Sequence, residues 1–450
     1  MSSIDQYIDL YGHNRETVEA ATPDVINRLR RPALEALKSF GRFPGKRDEG
    51  YSRFSVEDLF APDYGVNIAR VPFAVDVTQS FRCDVPNVST LLGVVVNDAF
   101  RPTTTLLKNL PEGVTVSSLA SVASEDPEFI GRYLGALSHN RDAASALNTM
   151  LMQDGVVIRV RAGVKLEKAI QIVNIFNASA SLMSVRRMLV VLEEGASARM
   201  LVCDHSQSAD FGYLSSQVTE IFLHPGASLE YCDIEESSEQ TSRMSQLYVS
   251  QDTGSRLAVS GTSLTVGRTR NEFHVDINGE NCDAELAVMA IADGSQVIDN
   301  SSRINHLAPH SRSNQLFKYL LDDKSQGAFE GLILVAPDAV HTEAYQTDRN
   351  MLASAEARMH TAPQLEIYCD DVKCSHGAAT GQLDRNALFY MQTRGVPEDE
   401  ARMMLMQAFM GDVIEHVSID GLRDRLRHLV ERRLSGEHAA CGDCAASCHN

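Results

Sequence analysis

Two short segments about thirty residues apart, EEGASARM (193–200) and HPGASLEY (224–231), are near copies of one local unit. They belong to a series of turn glycines, Gly163, Gly195, Gly226 and Gly254, separated by 32, 31 and 28 residues. Between and around the glycines run β-rich stretches such as VVIRVRAG, KAIQIVNIF, RRMLVVLEEGASARMLVC and VTEIFLHPGASLEYCDI. A strand–turn–strand unit repeated at this period cannot bury its apolar face alone. Successive coils must stack to do so, and the pattern therefore predicts a solenoid over residues 151–380. The repeat is loose, and a β-sandwich meets the same alternation.

The flanks read differently. Residues 1–150 are mainly helical with loops. In TPDVINRLRRPALEALKSF, Val25, Ile26 and Leu29 make a short apolar face whose first turn suits Pro23 and Asp24. Pro32 is expected to end or kink that helix and to start a second one carrying Ala33, Leu34 and Leu37. NVSTLLGVVVNDAFRP is strand-like. Over 381–435 the sequence predicts three helices. The first is capped by Asp384 and stopped at Gly395. The second follows Pro397 and carries Leu405, Phe409, Val413 and Val417. The third begins at Asp420 with Leu422, Leu426, Leu429 and Arg433 along one side. Met403, Met404, Met406 and Met410 read as core fillers, although a Met-rich face also suits a partner groove. Residues 436–450 read as a flexible Cys/His-rich tail.

The formal net charge of −19 disfavours phosphate backbones and anionic lipid surfaces, so neither nucleic acid nor membrane is expected as a partner. The basic runs RLRR (28–31) and RLRHLVERRL (425–434) read as solvated helix faces. No apolar run approaches the ~18 residues of a spanning helix, and the N-terminus lacks the pattern of a signal peptide. The expected location is the cytoplasm, with the nine cysteines reduced. Cys83, Cys203, Cys232 and Cys282 read as small buried hydrophobes.

Chemistry concentrates in DDVKCSHGAATGQLD (370–384). On an extended strand Cys374 and His376 share one face, about 6.5 Å apart, with Ser375 opposite. That is too far for a thiol–imidazole dyad but suits two ligands or contacts pointing outward together. A closed zinc site needs about four ligands, so other residues or another chain must complete it. A strand end with a backbone-bonded histidine fits the same residues. The tail gives a second candidate: His438, Cys441, Cys444, Cys448 and His449 form H-x2-C-x2-C-x3-C-H, a pattern that binds zinc or an iron–sulfur cluster. No phosphate loop, nucleophile elbow, zincin motif or dinucleotide fingerprint is present. Asp293, Asp322 and Asp323 sit in turns, where turn chemistry accounts for them better than the carbohydrate cleavage some β-helices perform.

The run from EAYQTDRNMLASAEARMHTAPQLEIYCDDVKCSHGAATGQLDRNALFYMQTRGV through EARMMLMQAFMGDVI resembles the SufB/SufD family of iron–sulfur cluster assembly scaffolds, and PQLEIYCDDVKCSHGAATGQLD its SufD branch. Weaker similarity extends through VTEIFLHPGASLEY, LPEGVTVSSLA and RRPALEALKSFGRFPGKRDEGYS. The resemblance implies an all-β core with α-helical ends, the core a right-handed parallel β-helix. It implies a non-catalytic scaffold subunit in a complex with a SufB-like subunit and a SufC-like ATPase, and through them contact with cysteine desulfurase and sulfur-transfer proteins. It also implies that the helices of 381–435 dock the ATPase, and that the last strands pair with the SufB-like subunit. His376 would lie at that interface, where a nascent, transient iron–sulfur cluster is built. Cys374 matches the neighbouring family cysteine. Flavin binding is left open. A SufB-like chain is the alternative, but no cysteine occurs between Cys282 and Cys369, where that branch carries a reactive one. The family's usual tryptophan near RDEGY is missing, and the Cys/His tail lies outside the family pattern.

Overall fold

The glycine series forms one corner of a parallel β-solenoid. In the computed structural model, which describes residues 2–51, 53–71, 90–138, 140–207 and 210–436, Gly163, Gly195, Gly226 and Gly254 all have left-handed backbone, with φ of 72, 64, 68 and 69°. Each donates its N–H to a carbonyl of the next coil, respectively Glu194, Pro225, Thr253 and Glu280, at 2.8–2.9 Å. The column continues beyond the glycines through Asn281, His310 and His341, with φ of 57, 58 and 58°. Asn and His are among the few non-glycine residues that tolerate this region, so the corner repeats further than a search for glycine reveals. Cys83 and the tail residues His438, Cys441, Cys444, Cys448 and His449 lie outside the described residues.

Alternate strands enter two sheets. One ends in Arg358–Ile367 and the other in Lys373–Gln382. Pairing between successive coils is parallel and largely unbroken, as in the ten residue pairs joining Arg312–Leu321 to Glu343–Leu352. This excludes the sandwich. Stacking in register makes each inward position a ladder. Val190, Ile221, Val249, Val275, Ile304, Ile333 and Leu365 follow one another, one per coil. β-Branched side chains suit such a stack because their χ1 is already restricted.

Helices cover the outer faces of both sheets. N-terminal residues such as Ile26, Leu37, Phe43 and Leu147 pack on Val185, Leu189 and Leu214 of one sheet. Met410, Val413, Leu422 and Leu426 from the C-terminal helices pack on Cys203, Cys232, Met289 and Leu320 of the other. The helix Asp24–Phe40 continues through Pro32 and does not end there. Pro32 and Arg28, whose carbonyl loses its donor, both lie on the exposed side, while Ile26, Arg30, Ala33 and Leu37 hold the buried side. The basic runs are not simply solvated. Arg30 is fully buried and donates to the carbonyls of Met150 and Met152 at 2.7 Å. Arg433 is buried and donates to Asp293 and to the Leu264 carbonyl. Of the four methionines read as core, only Met410 is fully buried, and Met404 is exposed, because the helix Glu398–Ile414 lies with one side on the sheet.

A Cβ at a left-handed position costs roughly 1–2 kcal/mol. Gly226→Val should therefore lower the thermal unfolding midpoint, and Gly226→Asn, the residue type found at Asn281, should lower it markedly less.

Candidate functional site

The solenoid is closed at one end and open at the other. At the N-terminal end the hairpin Leu91–Val96/Ala99–Pro102 and the strand Val114–Ser118 finish the two sheets with antiparallel pairings. At the C-terminal end Arg358–Ile367 and Lys373–Gln382 each pair on one side only. The chain then leaves into the helix Arg385–Thr393, capped by Asp384 through the N–H groups of Asn386 and Ala387, and this helix buries none of its residues. Unpaired strand edges are usually blunted or covered. Here nearly every residue of the last strand is exposed.

Cys374 and His376 lie on that strand. Cys374 stands in register with Ala344, and His376 with Gln346, both fully buried. The two side chains therefore share a face, but it is the face that earlier coils turn inward, not an outward one. It is accessible because no further coil covers it. Cys374 is half-buried and packs, with Cys369, Leu365 and Val372, on Ile333, Val335, Ala339 and Ala344. Burial raises its thiol above the usual range. A backbone hydrogen bond with Ala344 opposes the rise, and the neighbouring Cys369 adds to it as a like charge. His376 is exposed. Among the described residues no three His, Cys, Asp or Glu side chains gather as a metal-ion site. The open end thus offers two soft or borderline donors, short of a closed site.

Beneath His376 the interior becomes polar. Ser302 donates to Gln315 at 2.7 Å, and Gln346 donates to the same oxygen at 3.3 Å. Asn350 donates to Asp348 at 2.8 Å and to Thr380 of the last strand at 3.2 Å. Burial pushes Asp348 up to about 6. The sequence reading missed this network. In EAYQTDRN inward Gln346, Asp348 and Asn350 alternate with outward polar residues, so no apolar period marks the strand. The acids read as turn residues behave partly so. The Asp323 carboxylate accepts from Gly294 N–H at 3.1 Å, whereas Asp293 also clamps Arg433.

Comparison with known proteins gives the family. Residues 174–409 match the family model described as SUF system FeS cluster assembly, SufBD core domain, and residues 1–172 match the SufBD protein N-terminal region. The chain belongs to the SufBD family. It is a protein of iron–sulfur cluster assembly. An iron–sulfur cluster assembly SufBD family protein of Synechocystis sp. is 29% identical over 435 residues, covering 94% of this chain and 95% of that protein. The iron–sulfur cluster assembly protein SufD of Escherichia coli is 35% identical over 167 residues, 37% of this chain and 40% of that protein. SufD of Bacillus subtilis is 22% identical over 326 residues, 72% and 74% of the two chains. The matched SufBD core takes in the whole open end. No helix in the described residues is long and apolar enough to cross a membrane.

His306 lies inside the SufBD core, fully buried, with Nε2 2.8 Å from the Ser313 hydroxyl. Burial pushes its imidazole down to about 4. Between that value and 6.5 the unfolded chain binds the extra proton, so His306 costs stability as pH falls through this window. The difference in unfolding free energy between wild type and His306→Gln should shift by about 2–3 kcal/mol between pH 7 and pH 4. Chemical denaturation at the two pH values checks this.

Proposed function

We propose that this chain is a SufD-type scaffold subunit, without turnover of its own, that supplies half of a chamber in which an iron–sulfur cluster is assembled. The observation that carries the reading is the uncovered last coil with His376 on its inward face. Two strand edges and a row of inward side chains are left for a related SufB-like solenoid to cover, and strand addition along those edges is the cheapest way to do so. Iron and sulfide are the substrates. His376 offers an imidazole as ligand or proton carrier, and Cys374 a second donor. Because two donors do not complete a site, the remaining ones come from the partner. The location that fits is the cytoplasm.

The energy source belongs to a SufC-like ATPase on the C-terminal helices. The helix Arg385–Thr393 carries Phe389 and Tyr390 at 67% and 59% exposure. The two helices after it are clamped to the solenoid. Buried Lys318 donates to Asp412 and to the Phe409 carbonyl, and Arg433 pairs with Asp293. An ATPase gripping the free helix would pull on a rigid mount beside the open end, and that geometry suits opening or closing the subunit contact.

Co-purification from native extract should recover a phosphate-loop ATPase and a homologous subunit. His376→Ala should abolish cluster formation in the reconstituted complex, read by visible absorbance and iron content, while the complex still assembles. Normal cluster yield would remove His376 from the mechanism. Phe389→Glu should release the ATPase and leave the contact between the two solenoids intact.

A further inference from the structure

The open end holds a thiol that the cluster-assembly reading does not use. Cys369 follows the strand Arg358–Ile367 and Cys374 is the second residue of the next, Lys373–Gln382, so the two bracket the last turn. Register pairs Val335 with Ile367 and Ala344 with Cys374, which makes this corner two residues shorter than the one it stacks on. The shortening draws Cys369 in toward Cys374. Both side chains pack against the same small apolar cluster, formed by Ile333, Val335, Ala339 and Ala344. Both are half-buried, with no coil above them, whereas Cys203, Cys232 and Cys282 are buried. Cys203 and Cys232 lie under the C-terminal helices, and the Cys282 thiol donates to the carbonyls of Asp252 and Gly279 in the corner column. Among the described cysteines, a reagent in solution meets only the pair.

We propose that Cys369 and Cys374 are a redox-active dithiol that closes reversibly to a disulfide at the open end. A peroxide is the oxidant. One thiolate attacks a peroxide oxygen, the O–O bond breaks, and a sulfenic acid and water form once hydroxide takes up a proton. The second thiol attacks that sulfur, the S–S bond forms, the S–O bond breaks, and water leaves. Two electrons pass from sulfur to oxygen, and two thiols with one hydrogen peroxide become one disulfide and two waters. A dithiol reductant reverses the change. The pairing stands on placement alone. If Cys374 also serves in cluster assembly, the closed bridge withdraws its donor until it is reduced.

The test uses the full chain and hydrogen peroxide, followed by alkylation of free thiols, trypsin and mass spectrometry. Cleavage after Lys373 separates the two cysteines, so a bridge links the peptides 359–373 and 374–385. We expect the linked pair, two hydrogens lighter than its parts, to replace most of the free peptides and to vanish with dithiothreitol. In Cys369→Ser the Cys374 peptide should instead gain two oxygens irreversibly. Independent overoxidation of both cysteines in the wild type, or a bridge from Cys374 to Cys441, Cys444 or Cys448, overturns the pairing. A linked pair together with normal cluster yield from His376→Ala would retain the dithiol and remove only His376 from the assembly reading.

Discussion

Each coil of this protein is finished by the next. The N–H of a left-handed corner residue has its acceptor one coil further on, from Gly163 with Glu194 to His341 with Asp371, and every inward side chain rests on its counterpart below. Burial and backbone satisfaction are thus shared between neighbours, and a coil without a successor lacks half its contacts. The N-terminal end meets this with antiparallel strands and helices. The C-terminal end leaves backbone edges, a histidine and two thiols uncovered. The same stacking that makes the body stable leaves its last coil with unpaired edges.

The interior also carries charge. Arg186 and Arg243 share the lumen with Asp204 and Glu235, all buried, and with Asp233, which is partly buried. Two guanidinium groups against three carboxylates leave one negative charge in excess, and an unpaired buried charge is strongly disfavoured. Glu235 responds, pushed up to about 7 chiefly by burial, with Arg243 opposing. Its folded state holds the proton more tightly than the unfolded chain, so its contribution to stability is present at acid pH and lost as pH rises through about 7. His306 acts in the opposite direction over nearly the same pH range, from 6.5 down to about 4, so the two effects largely cancel there.

The solenoid was legible in the sequence because its corner repeats a residue type with a particular backbone demand. Legibility failed where the demand was met by other residues. Asn281, His310 and His341 extend the glycine column without resembling it. Arg30 and Arg433 read as solvated because charge in a helix usually is, yet each has carbonyl or carboxylate acceptors on a distant element that only the fold brings within reach. The site divides in the same way. Strand parity alone put Cys374 and His376 on one face. Which face it is, and that it is open, depends on how many coils follow, a fact held by the whole chain and not by the motif. Cys369 drew no attention because its relation to Cys374 comes from a corner two residues short.

An inward face left open also bears on the chemistry. In a covered coil the positions of Cys374 and His376 would be packed like Ala344 and Gln346, and a thiol and an imidazole there would be inert or costly. In a fully solvated coil they would bind metal weakly, since nothing would fix their geometry or exclude water. A related solenoid seated on the last coil gives the intermediate case. On the proposed reading the donors stay on a rigid strand whose register is set by the strand beneath it, the partner supplies the missing ligands, and separation of the two returns the site to water. Assembly and release of a cluster need both states, and a stack of coils that ends abruptly provides both without refolding.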